Sequence, residues 1–240
     1  MHALLRHLED SAFEGAPRVL GIDGEGRETL SYIEGFVPYA PDIPVEIWSD
    51  EALIRTAQIV RSYHEAVRTF EPPAEAQWRF CPGAPRSGEI VCHNDIAPWN
   101  TVYRDGVPVA FIDWDFAAPA PAIWDVAYAA WRSVPLYYDG IPGSDSDRGT
   151  HARILFQETA NAEECGRRLR LFCDAYGLDD RSTLLDVIQH RQQVMHDTVR
   201  VWGEAGIPGF AELWKTGHAI APLRDKKFVA AFRDVMESRL

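Results

Sequence analysis

The sequence predicts an α+β fold with strands crowded into its first half and helices filling its second, and three observations carry that expectation. β-prone apolar runs at 17–21, 28–33 and 89–92 are punctuated by glycine- and proline-containing turns. Asp105-Gly106 separates Thr101-Val102-Tyr103 from the run Val107 to Ile112, which is a strong hairpin signal. Beyond residue 160, apolar residues recur at helical spacing between glycine stops. With 240 residues, the chain can bury a sizeable core as one domain or as two small lobes.

Taken in order, Ala3 to Glu9 has helical spacing with Leu4, Leu5 and Leu8 on one face. Pro17 to Gly21 and Glu28 to Ile33 read as two strands around Asp23-Gly24-Glu25-Gly26. That glycine cluster lacks the Gly-x-Gly-x-x-Gly order, and neither helix nor lysine follows it, so it reads as a hairpin turn rather than a phosphate cradle. Asp50 is expected to cap a helix whose apolar stripe carries Leu53, Ile54, Ala57, Val60, His64 and Val67, with His64 a core residue and Glu71-Pro72-Pro73 the stop. Residues 82–88 form a loop leading into the strand at 89–92.

The stretch His93-Asn94-Asp95-Ile96-Ala97-Pro98-Trp99-Asn100, with Asp113 thirteen residues after Asn100, carries the chemistry. If the hairpin forms, Asn100 at its start and Asp113 at its end meet at the same end of it. Two oxygen-bearing side chains then converge, as Mg²⁺ requires in a site that also takes phosphate oxygens. Asp95 lies in the loop before them, placed to accept a proton from a substrate hydroxyl. Pro98 stiffens the turn. After a helix spanning Asp125 to Trp131, residues 135–149 are rich in Pro, Gly, Asp and Ser and read as a loop. Helices follow at Glu163 to Tyr176, stopped by Gly177, and at Ser182 to Trp202, stopped by Gly203, with two more segments after Pro208 and Pro222. Arg167, Arg168 and Arg170 are expected on a solvated face.

These motifs resemble those of the aminoglycoside phosphotransferase and choline kinase family, relatives of the protein kinases. The family's His-x-Asp-x-x-x-x-Asn loop is matched at His93, Asp95 and Asn100, and its metal-binding Ile-Asp at Ile112-Asp113. The resemblance implies a kinase-like α+β fold with a mostly helical large lobe, residues 37–240, and a cut-down sheet lobe, residues 1–36. It makes Asp95 the catalytic base, Asn100 and Asp113 the Mg²⁺ ligands, and His93 the scaffold of the loop. Trp124-Asp125-Val126-Ala127-Tyr128 resembles the family's downstream segment, so Asp125 is expected to hydrogen-bond the loop backbone. Ser31-Tyr32-Ile33 falls at the hinge, where a nucleotide base would meet backbone. Asp115 reads as a supporting or capping carboxylate behind the metal ligands. Trp99, Trp114, Trp124 and Trp131 read as core rather than as a stacking platform.

The balance of 24 basic against 36 acidic residues gives a net charge of -12, which argues against nucleic acid or an anionic membrane as partner. That acidity would suit a cationic acceptor, although solubility alone accounts for it. No apolar run approaches membrane-spanning length, and Met1 to Leu8 is too short and polar for a signal peptide. Cys81, Cys92, Cys165 and Cys173 show no metal or redox spacing, consistent with reduced thiols in a cytoplasmic protein.

The family's glycine-rich strand-loop-strand and its phosphate-clamping lysine precede the first helix found here. Lys215, Lys226 and Lys227 are the only lysines, so none falls within the first 214 residues. Arg6, Arg18 and Arg27 are the nearest substitute charges, and Glu9 the nearest analogue of the lysine's helix partner. The expected activity is therefore ATP- or GTP-dependent phosphoryl transfer to a hydroxyl of an aminoglycoside-like or other amino-alcohol or sugar acceptor. The alternatives are an inactive, pseudokinase-type ligand- or partner-binding protein and, more remotely, a metal-dependent phosphohydrolase built on Asp95, Asp113 and Asp115. A shortened sheet exposes an edge that invites homodimerisation.

Overall fold

The computed structural model describes residues 1–39, 43–134, 136 and 162–240. Its strands pair as three antiparallel two-stranded sheets, and its helices pack into one continuous core around them. Helix α1 (His2–Asp10) buries Leu4, Leu5 and Leu8 in that core, as their spacing predicts. β1 (Val19–Ile22) and β2 (Glu28–Leu30) form the expected hairpin. Asp23 Oδ1 closes its turn by accepting the N–H groups of Glu25 and Arg27, each at 2.9 Å, so the turn is stabilised from within.

Helix α2 (Asp50–Val67) starts one residue away from the expected cap. Ser49 holds the non-helical cap position and its Oγ accepts the Ala52 N–H at 3.1 Å. Asp50 instead receives Arg167 on both oxygens, at 2.8 and 2.9 Å, and Arg168 at 2.8 Å. The arginine run at 167–170 is thus a solvated face only in part: Arg170 is exposed and Arg167 partly so, but Arg168 is buried, and this clamp joins α2 to α4 (Ala162–Tyr176). Pairing with Arg167 holds the Asp50 carboxyl below its ordinary range. Helix α2 ends at Val67, before the prolines at 72–73.

β3 (Ile90–Cys92) leads into the motif loop, β4 (Thr101–Arg104) and β5 (Val107–Phe111) form the second hairpin, and β6 (Ala118–Ala120) runs back beside β3. Asp105 and Gly106, both at positive φ, make the turn that their sequence predicts. β6 is invisible in the sequence because Ala-Pro-Ala has no strand propensity; close backbone approach creates it. A Cβ on Gly88 would sit 1.9 Å from the Ala120 carbonyl carbon, so only glycine admits this pairing.

Helix α3 (Ala122–Ser133) follows directly and is almost wholly buried. Helix α4 ends with Gly177 at positive φ, where the N–H groups of Gly177 and Leu178 both return to the Cys173 carbonyl. Helix α5 (Leu184–Glu204) passes through Gly203 rather than stopping there: a Cβ at 203 would lie 2.3 Å from the Trp214 Cβ, so this glycine permits α6 (Phe210–Lys215) to pack. α7 (Ile220–Ala231) and α8 (Arg233–Glu237) complete the bundle, with Pro222 inside the first turn of α7. The loop expected at 135–149 lies outside the described residues, apart from Leu136. All four cysteines are free.

Candidate active site

The β4–β5 hairpin does what its sequence implies. Thr101 pairs with Phe111, and the Ile112 N–H donates to the Asn100 carbonyl at 2.9 Å, which ties the two ends of the hairpin together. Asn100 is buried and Asp113 exposed at that end. Asn94 and Asp113 both adopt left-handed backbone, with φ of 68° and 62°. Apart from glycine, Asn and Asp are the residue types that tolerate it, and strain of this kind gathers where side chains must be aimed.

Asp125, on the first turn of α3, holds the loop from below. Its fully buried carboxylate accepts the backbone N–H groups of His93 and Asn94, each at 2.7 Å. His64 Nε2 lies 3.4 Å from it and His64 Nδ1 meets the Tyr176 hydroxyl at 2.8 Å, so His64 is the satisfied core residue its position on α2 suggested. Burial pushes the Asp125 carboxyl up, and the hydrogen bonds and charges of His64, His93 and the Asn94 N–H outweigh it, leaving the carboxyl below its ordinary value. His64, Cys92 and Asp125 come close enough to suggest a metal cluster. The carboxylate is committed to two amides and the Cys92 thiol donates to the Ala120 and Pro121 carbonyls, so these residues form a structural network.

His93 is buried against Trp114, with ring centroids 4.4 Å apart, and its Nε2 bonds the Ile112 carbonyl at 3.1 Å. Its Nδ1 receives the Asp95 N–H at 3.3 Å, so a neutral ring with the proton on Nε2 satisfies both nitrogens. Burial keeps it neutral by lowering its pKa. The ring therefore bridges the loop to the segment that carries Asp113.

Asp95 is held on both oxygens. Tyr128 donates its hydroxyl to Oδ1 at 2.7 Å and Asn100 donates Nδ2 to Oδ2 at 2.8 Å, with a second contact to the Asp95 carbonyl at 3.0 Å. Burial raises the Asp95 carboxyl to about 6, against the lowering effects of the Tyr128 bond and the Arg132 and Arg191 charges. Because the Asn100 amide nitrogen is spent on Asp95, its oxygen is left for a cation. An amide oxygen beside an exposed carboxylate is a hard-oxygen donor set that fits Mg²⁺. Asp115 is also exposed, two residues beyond Asp113.

Asp95 opens onto a cavity of about 650 Å³ walled by α5, α6 and α7. Trp99 lines this cavity and is 36 % exposed, so it is not the core residue expected, whereas Trp114, Trp124 and Trp131 are buried. Two site residues escaped the sequence reading. Tyr128 lies one helical turn after Asp125, on the same face of α3, and that spacing was an available signal. Arg191 on α5 had none: it donates to the Asn94 carbonyl at 2.6 Å across 97 residues and lies over the Tyr128 ring at 4.2 Å.

In the segment expected to form the hinge, Ser31 is engaged with Arg18 through both its N–H and its Oγ, at 2.8 Å each. Tyr32 stands 85 % exposed and Ile33 is half-buried. Phe36 then pairs with Tyr103 of β4, which fastens the segment to the motif hairpin. Of the expected substitute charges, Arg27 is paired with Asp23 and Glu25, while Arg18 Nη1 is buried with no hydrogen-bond partner among the described residues.

This loop, hairpin and helix assembly is the one the family comparison detects. The sequence model described as the phosphotransferase enzyme family (APH) matches residues 37–156, and the chain belongs to that family. It is 33 % identical over 242 residues to the trifolitoxin immunity protein of Rhizobium leguminosarum bv. trifolii, a match covering 95 % of this chain and 86 % of the relative. Its fold resembles that of a candidate aminoglycoside phosphotransferase from Ralstonia eutropha JMP134, with a TM-score of 0.54 over 99 % of this chain and 82 % of the other. It also resembles wild-type aminoglycoside 2′-phosphotransferase-IIIa, solved as a GDP complex, with a TM-score of 0.51 over 99 % and 79 %. Both are 12 % identical to this chain, a likeness of fold: the α+β, kinase-like architecture. No helix among the described residues is long and apolar enough to cross a membrane.

Proposed function

We propose that this chain transfers the γ-phosphoryl group of ATP or GTP to a hydroxyl of a small molecule, with residues 1–36 serving as the reduced nucleotide lobe and 37–240 as the catalytic lobe. The observation that carries the reading is Asp95, fixed on both oxygens at the mouth of a ligand-sized cavity with Asn100 and Asp113 beside it. Asp95 orients the acceptor O–H and takes its proton. The acceptor oxygen forms its bond to phosphorus as the bond from phosphorus to the bridging oxygen breaks, and the nucleoside diphosphate leaves with that electron pair. Asn100 and Asp113 would hold Mg²⁺, which when bound neutralises the charge of the phosphates. His93, Asp125 and Tyr128 touch no reacting atom; they set where Asp95 points.

A base near pH 6 is a poised one: unprotonated at neutral pH yet basic enough to accept a proton. Tyr32 and Ile33 are the hinge positions for the nucleotide base, and Arg18, with its unsatisfied Nη1, takes the charge role that no lysine fills. The immunity role in the relative's name favours a protective reaction on a toxic small molecule, carried out in the cytoplasm. A second reading, ligand holding without turnover, draws on the absence of lysine from the first 214 residues. A second copy would pair through β1 and β2, where Leu20 and Ile22 are exposed.

The test is nucleotide-dependent phosphorylation of an acceptor by the wild type and by Asp95→Asn. The proposal expects the variant to lose about 10²- to 10⁴-fold in rate. Transfer by the variant at the wild-type rate overturns it.

A further inference from the structure

We propose that the acceptor is an apolar, ring-bearing alcohol, neutral or singly anionic, and not a polycationic aminosugar; this rests on the reading of the Asp95 cavity as the acceptor site. One wall is a stripe of α5, with Val194, Met195, Thr198 and Val199 at helical spacing. The facing wall is Phe210 and Leu213 of α6 with Ala221 and Pro222 of α7. Trp99 and Phe116 add flat aromatic surface near Asp95, of the kind that stacks on rings.

The charges point the same way. Among the described residues lining the cavity, Asp95 is the one carboxylate, and the guanidinium of Arg191 lines it as well. Arg191 is buried, lies over the rings of Trp124 and Tyr128, and makes no ion pair with a described carboxylate; its one described hydrogen bond goes to the Asn94 carbonyl. A ligand carrying several ammonium groups would shed water from each and find one carboxylate to receive them, a poor exchange in a low-dielectric pocket. An apolar ring gains from the same walls by leaving water. The chain's net charge of -12 is thus carried elsewhere than on the described walls of this cavity, and charge summed over the sequence misdirects the choice of acceptor.

The test is calorimetric titration of the full chain, without nucleotide, with 2-(2-naphthyl)ethanol and with neomycin, on the wild type and on Leu213→Glu and Leu213→Lys. Leu213 is 37 % exposed at the cavity rim, so both variants should fold, which their melting curves check. The naphthyl alcohol is expected to bind at least tenfold more tightly than neomycin to the wild type, and at least fivefold more weakly to either variant. Neomycin is expected to gain affinity only in Leu213→Glu. Tighter binding of neomycin to the wild type, or naphthyl binding indifferent to both substitutions, overturns the assignment. Binding of the naphthyl alcohol with no phosphorylation of any acceptor would instead overturn the transferase reading and leave the cavity's ligand class intact. Phosphorylation of neomycin would do the reverse.

Discussion

Replacing Tyr128 by Phe should move the ionisation of Asp95 and leave the rest of the loop in place. The phenol is the O–H donor to Asp95 Oδ1, at 2.7 Å, and nothing else about the ring changes. A hydrogen bond to a charged group is worth about 1.5–3 kcal/mol, and at about 1.4 kcal/mol per pKa unit its loss raises the carboxyl by roughly 1–2 units. The acid limb of the kcat/KM profile, set by Asp95 at about 6 in the free protein, then moves to about 7–8.

Stability offers a readout that needs no turnover. Because burial raises the folded-state value from 3.8, the folded protein holds this proton longer than the unfolded chain does, so the group costs stability as pH rises from about 4 through about 6. In Tyr128→Phe that loss continues to pH 7–8. The variant should therefore melt close to the wild type at pH 5 and about 3–12 °C below it at pH 8, given roughly 2–4 °C per kcal/mol for a chain of this size. A melting difference equal at pH 5 and pH 8, together with an unmoved acid limb, would refute the claim that Tyr128 supports the charged form of Asp95.

Asp125→Ala leaves the N–H groups of His93 and Asn94 buried without an acceptor and should cost about 4 kcal/mol, read by denaturant unfolding at neutral pH. Since the Asp125 carboxyl sits below its ordinary value, the stability it contributes is present above pH 4 and fades as pH falls through the lowered value, so the penalty shrinks in acid. Gly88→Ala drives a methyl group into the Ala120 backbone and should cost about 3 kcal/mol by forcing β3 and β6 apart, measured by the same unfolding curves.

Local signals made the hairpin and the loop from His93 to Asn100 legible. Asp105-Gly106 makes the turn between β4 and β5, and their pairing, with one register shift between Val102 and Tyr103 that the sequence does not announce, brings Asn100 to the end where Asp113 lies. The helices were legible wherever apolar spacing met a left-handed glycine, as at Gly177. Long-range features were not. β6 forms because a neighbouring backbone accepts it, Gly203 serves packing against Trp214 rather than termination, and Arg168 is buried because Asp50 stands 118 positions away to receive it. The cavity beside Asp95 was hidden for the same reason. Part of its wall is assembled from α5, α6 and α7, of which α7 has no amphipathic periodicity to announce it, and their apolar residues acquire meaning only beside Asp95.

The most direct measurement follows the wild type, Asp95→Asn and Asp113→Ala through two readouts, the melting shift given by Mg²⁺ with a nucleoside triphosphate and phosphoryl transfer to an acceptor. A nucleotide held at 100 times its Kd contributes about 2.7 kcal/mol, or roughly 5–10 °C. The wild type should show both the shift and transfer, Asp95→Asn the shift alone, and Asp113→Ala neither. Absence of any Mg²⁺-dependent shift in the wild type, or transfer that survives in Asp95→Asn, would contradict the assignment of this site.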